Sequence, residues 1–267
     1  MMRSLTAVAI AVAMTLIVSN AWATFHEMEI EEIVGSINGN TQAQAVQLRE
    51  KALGQNLVSN ASLWASDANG ANRVLLLNIA ANVTNAASGA RILLTTSAFT
   101  AAMVAGGATT FSPDFTLANS IPTSYLSAGR LTYEDDLGSV ASPGTIYWSI
   151  AWGGANYHGS NLGSTFNDAD GNFGPAFGSA LPTNQFAQGI IFTGAATSLS
   201  TTNQADYAFT ANPATVTKNN GLAFTIVPEP NSAVLLFGGA LVLAYFASPR
   251  RRHRLLDQSR ALNVEFK

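Results

Sequence analysis

The sequence contains no cysteine, which excludes disulfides, thiolate metal sites and cysteine nucleophiles. A fold without such cross-links rests on its hydrophobic core, which a domain of about 200 residues is long enough to build. Charge is scarce as well: 11% of residues are Asp, Glu, Lys or Arg, against roughly 25% in an average soluble domain. Between positions 24 and 227 the bases are Arg49, Lys51, Arg73, Arg91, Arg130 and Lys218, set against thirteen acidic residues. That balance excludes nucleic acid as a partner, because phosphate binding needs a basic footprint that displaces counterions. His26 and His158 are the histidines of this stretch, too few for a three-histidine zinc site. No Gly-x-Ser-x-Gly elbow occurs, since Gly159-Ser160-Asn161-Leu162-Gly163 has its serine one place early. No internal repeat is visible.

What is present begins with the two ends. Arg3 is a short basic start, residues 5–18 are almost unbroken apolar, and Ala21-Trp22-Ala23 places small residues where a signal peptidase reads. Together they predict a signal peptide over residues 1–23, with cleavage before Thr24. The apolar run is short of the ~20 residues of a full span. Near the other end, Val227-Pro228-Glu229-Pro230 is followed by residues 232–247, which carry no charge, and by Arg250, Arg251, Arg252 and Arg254. Residues 232–247 read as one transmembrane helix. The arginines hold their side cytoplasmic, so the middle of the chain lies outside. Residues 255–267 read as a cytoplasmic extension.

Residues 227–254 resemble the PEP-CTERM sorting signal of bacterial exported proteins, with Pro228-Glu229-Pro230, an apolar helix containing Gly238-Gly239 and the basic cluster in that order. The resemblance implies recognition by an exosortase-type membrane protease and a cut near Pro228 to Pro230. It further implies passage of the domain to the cell surface or extracellular polymer. The chain departs from the pattern by continuing for thirteen residues after Arg254.

Residues 24–226 form the expected exported domain. Short apolar or alternating runs at 30–34, 45–48, 73–79, 91–95, 129–133, 145–152, 188–192, 207–210 and 222–227 are separated by Gly, Asn, Ser, Asp and Pro clusters. They predict an all-β fold, a β-sandwich. Alternation at 145–152 turns Ile146, Trp148, Ile150 and Trp152 to the core and Thr145, Tyr147, Ser149 and Ala151 to the other face. Residues 97–104 predict two turns of helix stopped by Gly106-Gly107. Residues 41–54 hold good helix formers, yet 45–48 alternate as a strand does. Residues 156–185 read as a long ordered loop packed by Phe166, Phe173 and Phe177. Phe25-His26-Glu27 through Ile33, Val46-Gln47-Leu48-Arg49-Glu50 and residues 93–99 resemble the opening of exported domains related to the lamin-tail domain. That likeness implies an immunoglobulin-like sandwich; the sequence differs at Gln47, where the family has Glu.

Candidate chemistry is sparse. Asp168, Asp170 and Asn172 alternate around Gly171 as in part of a calcium loop. Placing Gly171 at the sixth loop position puts Phe166 first and Phe177 twelfth, so this is not an EF-hand. A looser calcium site and a plain Asx-type turn are the two readings. Glu27, Glu29, Glu31 and Glu32 form one acidic group and Glu134-Asp135-Asp136 another. Paired carboxylates suit glycoside hydrolysis, whereas acidic runs ordinarily mark a solvated face. The sequence predicts a non-enzymatic surface or matrix protein acting in exopolysaccharide, adhesion or biofilm structure. The alternatives are a calcium-dependent carbohydrate-binding module and a secreted glycan-degrading enzyme.

Overall fold

The computed structural model describes residues 24–183 and 187–227. The expected signal peptide, Pro228, Glu229, Pro230, the 232–247 helix and Arg250, Arg251, Arg252 and Arg254 lie outside the described residues. No helix among the described residues is long and apolar enough to cross a membrane.

The described chain is mostly strands. In order they are β1 Met28–Val34, β2 Ala45–Glu50, β3 Ala61–Ser66, β4 Val74–Asn78, β5 Arg91–Thr95, β6 Phe115–Thr116, β7 Gly129–Asp135 and β8 Ile146–Trp152. Then follow β9 Gly189–Phe192, β10 Tyr207–Phe209, β11 Thr215–Thr217 and β12 Ala223–Thr225. Two α-helices accompany them, α1 at Ser97–Ala105 and α2 at Asn203–Asp206. One six-stranded sheet runs β10-β9-β1-β2-β5-β6, one four-stranded sheet runs β4-β3-β7-β8, and β11 and β12 form a separate pair.

The two large sheets share one apolar core, and period-2 alternation explains why. Met28, Ile30 and Ile33 of β1, Val46 and Leu48 of β2 and Ile92 and Leu94 of β5 meet Leu63 of β3, Leu131 and Tyr133 of β7 and Trp148, Ile150 and Trp152 of β8. Trp148 and Trp152 are fully buried, as the alternation of 145–152 predicts. The indole N–H of Trp148 donates to Tyr207 Oη at 2.8 Å, which ties the two sheets together across the core. A second cluster lies on the outer face of the six-stranded sheet. Val34, Ala45 and Leu93 there are covered by Phe99 and Met103 of α1 and by Val216 of β11.

Helix α1 begins where Thr96 Oγ1 caps it by accepting the Phe99 N–H at 3.2 Å, and it ends at Gly106, the stop that its sequence signals. Within residues 41–54 the regular element is the strand β2, Ala45–Glu50, which takes its ladder bonds from β1 on one side and β5 on the other. Strand β3 was not expected. Its inward residues Ala61 and Ala65 are small and its outward ones include Ser62 and Ser66, so the apolar signal is weak although the alternation is present.

The odd face of β8 is also buried. Ser149 and Ala151 are fully enclosed and Tyr147 nearly so, because residues 156–183 and α2 cover the outer side of that sheet. Of the three loop phenylalanines, Phe173 and Phe177 are buried while Phe166 is 51% exposed, so Phe166 does not pack the loop as expected. The loop and α2 also close the free edge of β8. Asn203 donates through Nδ2 to Ser149 O at 3.0 Å and accepts the Ala151 N–H through Oδ1 at 2.8 Å. Its amide thus occupies the place of a neighbouring strand's peptide group. Asn167 Nδ2 donates to Tyr147 O at 2.9 Å, and Phe177 N donates to Ala151 O at 2.8 Å. An edge that is otherwise a template for aggregation is closed by side-chain amides together with backbone N–H groups of the loop.

Candidate functional site

Of the sorting motif, Val227 alone falls among the described residues. It is 52% exposed and follows Ile226, which is fully buried and donates its N–H to Ala214 O at 2.9 Å. At the opposite end Thr24 N donates to Gly54 O at 2.9 Å and Thr24 Oγ1 donates to Gln55 Oε1 at 2.8 Å.

The 167–172 loop brings Asp168, Asp170 and Asn172 together as a turn. Asp168 Oδ1 accepts the N–H groups of Asp170 at 3.0 Å and Asn172 at 3.1 Å. Asp170 Oδ1 accepts Asn172 N–H at 2.9 Å, and Asn172 Oδ1 accepts Gly174 N–H at 3.2 Å. Gly171 sits at φ 72°, the left-handed conformation the turn needs. These bonds are those of successive Asx turns, and they direct the Oδ1 of each side chain to the loop's own backbone, while Asp168 Oδ2 is buried without a partner among the described residues. Among the described residues no group of three or more His, Asp or Glu side chains is arranged to hold a metal ion. The domain is therefore expected to melt at the same temperature in excess calcium and in EDTA; a clear rise with calcium would restore the metal reading.

Each acidic group is only partly a solvated face: Glu27 and Asp136 are exposed, and the others are buried or half-buried. Glu29, Glu31 and Glu32 of β1 are buried on the outer side of the six-stranded sheet. A bulge between Ile30 and Glu32 breaks the alternation there, after which Ile33 again enters the inter-sheet core. Arg91 grips Glu31 through Nε at 2.7 Å and Nη2 at 2.8 Å, and Gln47 Nε2 donates to Glu31 at 2.7 Å. Arg49 pairs with Glu29 and lies 3.2 Å from Glu31. Burial pushes Glu32 up to about 8, reinforced by the Glu31 charge, and pushes Glu29 up to about 7 against the pull of Arg49. Burial also lowers Lys51, which donates to Ser198 O and stands 5.3 Å from the Trp148 ring centre.

In the second acidic group Glu134 and Asp135 are committed to structure, while Asp136 is exposed. Glu134, fully buried, takes a two-pronged bond from Arg73 at 2.9 Å on each oxygen. Arg73 in turn stacks 4.6 Å from the Trp64 ring centre. Asp135 accepts the N–H groups of Leu137 and Thr145 in the β7–β8 turn. His26 stacks against Tyr147 and Phe166 at 4.7 and 5.2 Å, and His158 is exposed.

A shallow, open cleft of about 240 Å³ lies between residues 85–91 and the β11–β12 turn. No sequence signal marked it. Its base is a clasp of two asparagines. Asn219 Oδ1 accepts Asn85 N–H at 2.8 Å, Asn85 Nδ2 donates to Asn219 O at 2.9 Å, and Asn219 Nδ2 donates to Arg91 O at 3.1 Å. Asp114 Oδ2 accepts Asn219 N–H at 2.9 Å from behind. Arg91 and Lys218 supply the cations, and Ser88 and Thr217 the hydroxyls.

Comparison with protein-family models, with curated proteins and with solved structures gives no match. Functional reasoning therefore rests on the chain's own residues.

Proposed function

We propose that this is an exported cell-surface or extracellular-matrix protein, sorted by an exosortase-type membrane protease and acting structurally or adhesively in exopolysaccharide or biofilm. In this reading the β-rich domain is an immunoglobulin-like, lamin-tail-like sandwich, flanked by a signal peptide and a single transmembrane helix. The observation that carries it is the order of four sequence features: the 1–23 signal, Pro228-Glu229-Pro230, the uncharged 232–247 run and the arginines from Arg250 to Arg254.

Two structural details support the reading. Ile226 is still anchored in the outer cluster while Val227 is exposed, so a cut after Val227 leaves every core residue among the described residues in place. Glu29, Glu31, Glu134 and Asp135 are engaged in ion pairs and turn bonds, which favours a structural over a hydrolytic role.

Replacing Pro228, Glu229 and Pro230 together by alanine tests it in the native host. The expected result is loss of the released or surface form and accumulation of uncut chain in the membrane fraction. Unchanged distribution and unchanged size would overturn the sorting reading.

A further inference from the structure

We infer that Thr24-Phe25-His26, once it is the N-terminus of the exported chain, binds copper(II), with nickel(II) as the second ion that fits; this deepens the export reading proposed above and rests on its cleavage before Thr24.

The donor set follows from covalent connectivity. Cleavage before Thr24 frees an α-amine and leaves a histidine as the third residue. The Thr24 amine, the amide nitrogens of Phe25 and His26 and Nδ1 of the His26 ring can then close fused chelate rings around one ion, with all four nitrogens in a plane. Planar nitrogen ligation selects copper(II) or nickel(II), and copper(II) stands highest in affinity among the divalent ions of its row. Binding releases the amide protons of Phe25 and His26 and one ammonium proton of Thr24 to solvent, and the ion keeps its oxidation state. At the second position only proline, which has no amide proton, would break the chelate.

The structure leaves these groups available. Residues 25–27 form a bend before β1 starts at Met28, so Phe25 and His26 lie outside the sheet ladder. Their N–H groups donate to no acceptor among the described residues, whereas the next one, of Glu27, is taken by Gln55 Oε1 at 3.0 Å. Thr24 N donates to Gly54 O at 2.9 Å. An ammonium has three protons and the metal-bound amine keeps two of them, so this bond is compatible with coordination.

The ring, too, is held without its nitrogens being used. His26 packs against Phe25, Tyr147 and Phe166, with ring centres 4.8, 4.7 and 5.2 Å away. Neither ring nitrogen makes a hydrogen bond among the described residues. Stacking occupies the faces of an imidazole, whereas Nδ1 binds a metal in the ring's own plane, so the two do not compete. Asn167 Nδ2 donates to His26 O at 2.7 Å and fixes the backbone of the same residue. A residue held in this way loses little order on binding.

The test is titration of the protein isolated from its native host, stripped of metal with EDTA and its N-terminus read by mass, with copper(II) sulfate. Visible absorption and electron paramagnetic resonance should show one copper per chain in a planar four-nitrogen environment. Zinc(II), which has no preference for planar ligation, should not displace it. His26→Phe keeps an aromatic ring against Tyr147 and Phe166; it should lose the site while melting near the parent. Inserting one alanine after Thr24 keeps the histidine but moves it to the fourth place, and should lose the site as well. His158 is exposed and present in every variant, so it serves as the internal control. Absence of the four-nitrogen spectrum, its survival in His26→Phe or after the insertion, or displacement by zinc(II) would each overturn the site. A chain that begins at Thr24 and fails to bind copper overturns the site alone. A chain that begins elsewhere overturns the site together with the cleavage reading, and failure to cut near Pro230 leaves the site standing.

Discussion

Glu50→Gln is expected to raise the melting temperature strongly in alkaline solution and hardly at all in mild acid. Glu50 ends β2 and is fully buried, and neither of its carboxylate oxygens makes a hydrogen bond of normal geometry among the described residues. The Tyr133 hydroxyl, buried with it, likewise lacks a partner among the described residues, and the Glu50 charge adds to the rise in the phenol's pKa. Burial pushes the Glu50 carboxyl up from 4.5 to about 8, opposed only by the nearby Gln55 N–H. The folded state therefore holds a proton that the unfolded chain releases above about 4.5. Between these two values the unfolded state binds fewer protons, so stability falls as pH rises from about 4.5 to about 8 and then levels off. Glutamine has the same shape and no charge to bury. At pH about 9 the variant should melt roughly 5–10 °C above the parent, and at pH about 4.5 the two should agree within about 1 °C. Glu32, held near 8 by the same cause, adds to the parent's alkaline loss. Equal effects of Glu50→Gln at both pH values would show that the carboxyl is solvated.

Asn203→Ala should be among the most damaging single changes outside the apolar core. The side chain satisfies Ser149 O and Ala151 N on the edge of β8 and accepts from Asn161 Nδ2 at 2.5 Å. Asn161 also accepts from Ser149 Oγ at 2.5 Å, and Arg130 Nε donates to the same hydroxyl at 2.7 Å. Removing Asn203 leaves two buried backbone groups and one buried amide without partners, each costing about 1–3 kcal/mol. A loss of about 3–5 kcal/mol follows, or roughly 10 °C for a domain of this size. The exposed neighbour Gln204 is the control: Gln204→Ala should change stability by no more than about 0.5 kcal/mol. If Asn203→Ala melted within about 2 °C of the parent, water would be closing the β8 edge in place of the amide.

Much of the strand pattern was legible because apolar alternation is local. β5 was expected at residues 91–95 and spans Arg91–Thr95; β8 and β9 were each expected one residue longer at their start than the strand found. β6 and β11, of two and three residues, are too short for alternation to register. The acidic group at residues 27–32 misled for a different reason. What buries Glu29, Glu31 and Glu32 lies far along the chain: Ser198 sits over Lys51, and Thr217 N bonds Gln47 at 2.5 Å across 170 positions. The same holds for Asn203, whose partners on β8 lie more than fifty residues earlier. The cleft between residues 85–91 and 217–221 joins segments of β11–β12 and of a loop that no sequence pattern links. The 167–172 turn, by contrast, is built from neighbours, and its asparagine and aspartate bonds follow from the sequence directly.

The most direct test of the central proposal is the intact mass of the protein isolated from its native host, read separately for the membrane and the external fractions. The account predicts an external species that begins at Thr24 and ends near Pro230, with the arginine cluster and the final residues to Lys267 removed. A chain found only in the membrane and still carrying Lys267 would contradict it, and would leave a β-rich domain held outside by an ordinary single-span anchor.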